Sequence, residues 1–111
     1  MITIEQLKEV KERTESLNRY LDIDGKKMQY EEEQLRTQDP GFWEDAKRAE
    51  AHMKLVKGLE KWIKGYAAVE TLASELETAY EFFREELVSE AEVDELYARA
   101  LTALEDLELK N

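Results

Sequence analysis

The chain contains no cysteine, one proline and only four glycines among its 111 residues. The absence of cysteine excludes disulfide bonds, thiolate metal ligands and cysteine nucleophiles, and it agrees with a reducing cytoplasm. The scarcity of proline and glycine disfavours many short strands joined by tight turns. No apolar run approaches the ~20 residues that cross a bilayer, and the first residues lack the basic-then-apolar order of a secretory signal. We therefore expect one cytoplasmic domain, residues 1–111, built from helices.

Charged residues make up 39% of the chain, and they are unevenly distributed. The formal net charge of −11 disfavours nucleic-acid binding by the chain as a whole. Residues 41–65 nevertheless carry six basic and four acidic side chains, whereas residues 66–111 carry three basic and thirteen acidic ones. Only the middle segment is therefore suited to lie near a polyanion.

Apolar periodicity and capping signals predict four helices. Thr3 with Gln6 and Ser89 with Glu92 have the spacing of capping boxes, in which each side chain bonds a free amide of the first turn. Pro40 ends the second helix, because proline disfavours helical geometry in the residue before it. The predicted helices cover about residues 4–20, 25–38 and 45–87, and a last helix after Ser89 folds back antiparallel on the long one.

A single apolar seam runs along the third and longest helix. Its members alternate at spacings of three and four residues, which is typical of coiled-coil packing. They are His52, Leu55, Leu59, Trp62, Tyr66, Val69, Ala73, Leu76, Tyr80, Phe83 and Leu87. The seam predicts an all-α fold: an elongated helical bundle of about four helices with one long central helix and coiled-coil-like antiparallel packing.

The shorter helices supply the partners of this seam. In the second helix, Met28 and Leu35 are expected to face inward. The expected buried residues of the first helix are Leu7, Val10, Thr14, Leu17 and Leu21, and those of the last helix are Val93, Tyr97, Ala100, Leu104 and Leu107.

No group of residues in the sequence suggests a catalytic or metal site. His52 is the only histidine, and without a cysteine or a second histidine it is interpreted as a structural residue at the edge of the core. The many glutamates are typical of solvated helix faces, because paired-carboxylate chemistry needs a concave apolar site. Phosphate-binding loops and nucleophile elbows are absent. We predict no catalytic residue, no cofactor, no metal and no enzymatic activity.

The Phe42-Trp43 pair follows the Pro40-Gly41 turn and permits two interpretations. The two rings could close the end of the bundle, where they would bury a large area, or they could form an exposed anchor for a partner. The position just before a helix start favours the buried plug, because hydrophobic staples form there.

Four lysines recur along the third helix at spacings of three, four and three residues: Lys54, Lys57, Lys61 and Lys64. Each is offset by two residues from a seam position, about 200° around the helix axis, so the four form one stripe that faces away from the core. An ordinary solvated face is the plainer interpretation, and contact with nucleic-acid phosphates is the sharper one.

Three stretches of the chain resemble a known family. The first and most specific matches the pattern Arg/Gly-Tyr-Leu-Asp-x-Asp-x-Lys-Lys: Arg19-Tyr20-Leu21-Asp22-Ile23-Asp24-Gly25-Lys26-Lys27. The second, Pro40-Gly41-Phe42-Trp43 with Lys47-Arg48-Ala49 after it, is similar to the family's Pro-x-x-Trp and the Arg-Ala helix opening that follows. The third, Leu104-Glu105-Asp106-Leu107-Glu108-Leu109, is similar to the stretch before the family's central domain. With these motifs, spread over nearly its whole length, the chain resembles the amino-terminal helical domain of bacterial peptide chain release factor 2.

The resemblance implies a domain that docks on the ribosome at the large-subunit stalk base, on protein and rRNA, within a factor that releases peptides at UAA and UGA codons. The family's Ser-Pro-Phe codon-reading motif and its Gly-Gly-Gln catalytic motif do not occur in these 111 residues, so we expect a noncatalytic domain. The lysine stripe, Lys54, Lys57, Lys61 and Lys64, then becomes the candidate ribosome contact.

The resemblance implies neither a membrane nor a small-molecule substrate, and it implies a monomer. A dimer of the chain stays open if the short helices cover the seam incompletely. The alternative function is that of a structural helical adaptor that binds a protein partner through its apolar seam.

Overall fold

A computed structural model of the chain describes residues 1–110, and it confirms the all-α prediction. Within those residues no strand occurs. No helix of this part of the chain combines the length and the apolarity needed to cross a membrane. The helices are α1 (Ile4–Leu21), α2 (Ile23–Arg36), α3 (Ala46–Arg84) and α4 (Glu90–Leu109), with one turn of 3-10 helix at Phe42–Glu44.

The chain forms two compact units. Unit 1 contains Met1–Leu21 and the chain from Tyr66 onward, so it consists of α1, the second half of α3 and α4. Unit 2 contains Asp22–Gly65, so it consists of α2, the 3-10 turn and the first half of α3.

Unit 1 is a three-helix arrangement whose directions follow from its polar contacts. The Tyr66 hydroxyl donates to the Thr14 carbonyl oxygen at 3.2 Å, while Glu77, farther along α3, accepts from Lys11, earlier in α1. These two contacts make α1 antiparallel to α3. Contacts of Ile2 with Asp94, and of Arg13 with Glu108, make α4 parallel to α1 and hence antiparallel to α3, as predicted.

The interior of unit 1 matches the predicted apolar positions closely. All five residues expected inside α1 are buried, and in α4 four of the five are buried while Tyr97 is half-buried. The side chains of Leu76, Val93 and Leu104 have no exposed surface. The complete set of buried hydrophobic residues in unit 1 is Ile2, Leu7, Val10, Leu17, Leu21, Tyr66, Val69, Ala73, Leu76, Ala79, Val93, Ala100, Leu104 and Leu107.

Both predicted capping signals act at helix starts in unit 1. Thr3 and Gln6 form a reciprocal capping box: the Thr3 amide donates to the Gln6 side chain at 2.8 Å, and the Gln6 amide donates to the Thr3 hydroxyl at 3.1 Å. At α4, the Glu92 amide donates to the Ser89 hydroxyl at 3.2 Å. These bonds satisfy amides that the first helical turn leaves without partners.

α3 ends three residues before the predicted Leu87. Glu86 adopts a left-handed conformation with φ of 63°. Its amide donates to the Phe83 carbonyl, and the Leu87 amide donates to the Phe82 carbonyl, which is the bonding of a Schellman helix end. Leu87 therefore lies beyond the cap and is exposed rather than part of the seam.

α2 begins at Ile23, two residues earlier than predicted, and Asp22 is its cap. Asp22 has φ of 49°, and its carboxylate accepts from the Gly25 amide at 3.2 Å. A Cβ atom at Gly25 would lie 2.2 Å from the Asp22 carboxylate, so the close approach requires glycine there.

The predicted inward face of α2 is wrong. Met28 and Leu35 are each 65% exposed, whereas Ile23 and Glu33 are buried. Met28 and Leu35 lie two residues, about 200°, from the positions that face α3. Glu33 bonds to His52, so an acidic side chain is more favourable than Met28 or Leu35 on the buried face of α2.

In unit 2 the buried face of α3 departs from the predicted seam at one position. Val56 is buried in place of Leu55, which is 44% exposed. Ala49, Val56 and Leu59 continue the face with helical spacing, and His52 lies half-buried between them. Of the predicted seam, the structure contradicts two members, Leu55 and Leu87, because both are exposed.

The prediction that both rings of the Phe42-Trp43 pair plug the bundle end is also wrong. Phe42 is half-buried, but Trp43 is 59% exposed. Successive residues of a 3-10 turn point about 120° apart, so two adjacent side chains cannot both face inward. The Trp43 indole instead donates from Nε1 to the Thr37 carbonyl oxygen at 3.1 Å.

Candidate functional site

The four predicted lysines lie on one face of α3 in unit 2. Lys54, Lys57, Lys61 and Lys64 are all exposed. Their spacing of three, four and three residues extends the stripe over 10 residues, about 15 Å at 1.5 Å per residue. The placement predicted from the sequence, away from the buried face, is therefore correct, while the role of the stripe is a separate question.

Three of the four ammonium groups have no ion-pair partner within residues 1–110. Lys64 alone forms one, with Glu60 one turn earlier on the same helix. The hydrogen bond from Lys64 lowers the pKa of the Glu60 carboxyl, and the same bond raises the pKa of the Lys64 ammonium. Both groups are solvent-exposed, so this pair is easily exchanged for another partner.

A buried polar pair holds the opposite face of α3 against α2. His52 Nδ1 lies 2.8 Å from the Glu33 carboxylate, and His52 Nε2 lies 3.0 Å from the Glu33 main-chain oxygen. A carbonyl oxygen only accepts, so Nε2 carries a hydrogen, and the Nδ1 contact requires one more proton between ring and carboxylate. The two side chains are only 11% and 10% exposed. His52 is thus a structural residue, as predicted, and the bonding fixes which face of α3 the lysines occupy.

A cavity of about 490 Å³ adjoins this pair, at the start of α3 in unit 2. The Phe42 ring forms its apolar wall and meets the His52 ring edge-on, with 4.8 Å between centroids. The Asp45 carboxylate accepts from the Arg48 amide at 3.2 Å and caps the helix. The lining residues are Arg36, Asp39, Gly41, Phe42, Asp45, Arg48 and His52.

Sequence reasoning did not find this cavity. Arg36 ends α2 and Arg48 lies in the first turn of α3, and no spacing in the sequence relates them. The burial of Glu33 was missed for the same reason, because its partner His52 is 19 residues away. In the described residues, no three His, Asp or Glu side chains are arranged to hold a metal ion.

No protein-family model matches the chain. The chain is 36% identical over 110 residues to peptide chain release factor 2 of Tolumonas auensis, covering 96% of this chain and 28% of that protein. It is 33% identical over 104 residues to peptide chain release factor 2 of Pseudoalteromonas translucida, covering 94% and 27%, and 35% identical over 107 residues to that of Proteus mirabilis, covering 95% and 27%. The chain is similar to peptide chain release factor 2 over nearly its whole length.

The similarity confirms the resemblance predicted from the three motifs. It covers nearly all of this chain, so units 1 and 2 are both included. The chain spans about 28% of the length of the release factor 2 relatives it matches. The similarity therefore covers one segment of release factor 2 and not the whole factor.

Proposed function

We propose that the chain is a noncatalytic ribosome-docking domain of a translation termination factor, and that it contacts the large-subunit stalk base. The observation that carries the proposal is the similarity to peptide chain release factor 2 over 96% of the chain. The factor would release peptides in the cytoplasm at UAA and UGA codons. Codon reading and hydrolysis would be performed by parts of the factor that lie outside the stretch similar to this chain. The contribution of the domain is binding energy and position.

The lysine stripe is the part of the surface best suited to rRNA. Three of its four ammonium groups form no ion pair within the described chain. Lysines that approach phosphates release the counterions condensed there, which favours binding and makes it depend on salt. Residues 66–111, with thirteen acidic and three basic side chains, would be repelled by the same phosphates. The uneven charge therefore restricts which part of the chain meets RNA.

The rival function, an adaptor that binds a protein through the apolar seam, is weakened by the packing. Leu59, Tyr66, Val69, Ala73 and Leu76 are buried by the chain's own helices. A partner, or a second copy of the chain, could reach them only by displacing those helices. The exposed surface of the lysine stripe needs no such rearrangement.

Co-sedimentation with ribosomes tests the proposal. The parent chain is expected to bind, and exchange of Lys54, Lys57, Lys61 and Lys64 for glutamine is expected to weaken binding and flatten its salt dependence, because fewer counterions are released. The matched control exchanges four other exposed lysines, Lys8, Lys27, Lys47 and Lys110, which changes the net charge equally.

Three results are informative. If the parent does not sediment with ribosomes, docking is wrong. If both quadruple variants lose affinity equally, only net charge matters and the stripe is a solvated face. If the stripe variant binds ribosomes with the parent's affinity and the parent's salt dependence, whereas the control variant does not, docking uses another surface.

A further inference from the structure

Trp43 is held rigidly in an exposed position. The ring is 59% exposed, yet its Nε1 donates to the Thr37 carbonyl at 3.1 Å, and the Phe42 ring meets it edge-on at 4.7 Å between centroids. The 3-10 turn Phe42–Glu44 fixes the backbone beneath it. An aromatic face that is both immobilised and hydrated loses little conformational entropy when something stacks on it.

Two arginines line the cavity beside this turn. Arg48 forms no ion pair within residues 1–110, and the only ion pair of Arg36, with Glu33, is a loose one at 3.7 Å. Both arginines line the cavity together with Phe42, and the Phe42 ring also contacts the Trp43 ring. Exposed guanidinium forks match the oxygens of a phosphate, which can accept two parallel hydrogen bonds.

Two carboxylates, Asp39 and Asp45, line the same cavity. They cancel the formal charge of the arginines, so the site does not act by attracting polyanions in general. They supply acceptors instead, which suit a ribose 2′-hydroxyl or an exocyclic amino group. The volume of about 490 Å³ falls within the usual range of small-ligand sites, roughly 300–1,000 Å³.

From this geometry we propose that the Trp43 turn and the adjoining cavity bind one unpaired nucleotide of RNA. The base stacks on the Trp43 ring, the phosphate binds Arg36 and Arg48, and the ribose faces the carboxylates. The inference rests on the proposed ribosome docking and names a site for it besides the lysine stripe. The stripe lies on another face of the same helix, because Lys54 follows Arg48 by six residues, about 240° around the axis. A stacking ring beside two guanidinium groups and hydroxyl acceptors favours RNA over a protein partner.

The test uses tryptophan fluorescence, because the chain has only two tryptophans. In the Trp62→Phe variant, Trp43 is the sole reporter. A single-stranded octa-adenylate RNA is expected to quench its emission, since a stacked base quenches indole, and an eight-base-pair RNA duplex is expected to quench it much less. Quenching should disappear when Arg36→Gln and Arg48→Gln are added. The converse reporter, Trp43→Phe, should show little quenching of Trp62.

Affinity for labelled octa-adenylate provides the second measurement. Trp43→Ala is expected to weaken binding by about 5- to 150-fold, the range found when one base-stacking aromatic is removed. Trp43→Phe keeps a ring but loses the bond to Thr37, and it should retain most of the affinity. Circular dichroism and the thermal midpoint of each variant establish that it is folded.

The outcomes separate this inference from the docking proposal. Equal quenching by single strand and duplex, or unchanged RNA affinity in folded Trp43→Ala, would overturn the nucleotide site even if ribosomes still bind. If Trp43→Ala weakens ribosome co-sedimentation but not RNA affinity, a protein surface covers the ring and the RNA assignment is wrong. If octa-adenylate stacks on Trp43 while the parent fails to sediment with ribosomes, the nucleotide site stands and docking fails.

Discussion

Units 1 and 2 are both helical, but they bury different kinds of side chain. The interior of unit 1 is apolar, and its polar groups are those of Thr14 and Tyr66. The interior of unit 2 contains few large apolar residues and is joined by the Glu33–His52 pair. Unit 2 also exposes hydrophobic residues that a simple pattern would place in its interior: Met28, Leu35, Trp43 and Leu55.

The number of helices around a side chain explains the difference. In unit 1 three helical segments enclose one apolar interior, so the apolar stripe of each has one favourable orientation. Unit 2 has two helices and a turn, and each helix there is covered on one side only. A single buried polar pair that is hydrogen-bonded can then decide the rotation of a helix, because an unpaired polar group inside would cost more than an exposed leucine.

The largest expected effect is in unit 1. Leu76→Ala should lower the free energy of unfolding by about 2–5 kcal/mol, because it leaves a cavity where no surface was exposed. Leu55→Ala is the matched control in the same helix, and as Leu55 is 44% exposed it should cost clearly less. Urea unfolding of both variants measures the difference. Equal losses would mean that the two halves of α3 are packed alike.

The next effect concerns the polar pair of unit 2. Glu33→Ala should destabilise the chain by about 2–4 kcal/mol, because His52 Nδ1 loses its partner while remaining nearly buried. Replacing Glu33 and His52 together with leucine should restore much of that loss, since buried pairs often exchange for apolar residues at little cost. A double-mutant cycle measures the coupling. Additive single effects would show that the pair does not set the interior of unit 2.

A smaller effect is expected from the polar group inside unit 1. Tyr66→Phe removes the bond to the Thr14 carbonyl and should cost about 1 kcal/mol at pH 7. Burial raises the pKa of the Tyr66 hydroxyl above its ordinary value of 10.0. The stability it contributes is therefore complete below pH 10 and is lost as the pH rises through the folded-state pKa.

Unfolding of the parent and Tyr66→Phe, followed from pH 7 to pH 11.5, checks this sign. The gap between them should narrow at the alkaline end. A gap that stays constant or widens would show that the hydroxyl is not protected by burial.

The smallest effect is a gain in unit 2. Gly58 lies inside α3 with no atom within 4 Å of where a Cβ would be, so Gly58→Ala should stabilise the helix by about 0.5–1 kcal/mol. Gly25→Ala is the opposite case, because its Cβ would collide with the Asp22 cap. Thermal midpoints should move in opposite directions. A fall for Gly58→Ala would reveal a contact at that face of α3.

Much of unit 1 could be predicted from the sequence. The spacing of its apolar residues, the Thr3–Gln6 capping box and the Ser89 cap are local signals, and the structure follows them. The exposed face of the lysine stripe was also predictable, since it depends only on helical periodicity. The cavity beside Trp43 was not, because it joins residues of α2, a turn and α3 that no repeat relates.

The sequence by itself determined the all-α class, the number of helices and which face of α1 and α4 is buried, because these depend on contacts a few residues apart. Only the tertiary structure decided the rotation of α2, the exposure of Trp43 and the burial of Glu33. Each of those depends on a partner from another element: His52 for Glu33, the Thr37 carbonyl for the indole of Trp43. A buried charge is stable only where such a partner exists. Periodicity along one helix does not reveal that partner.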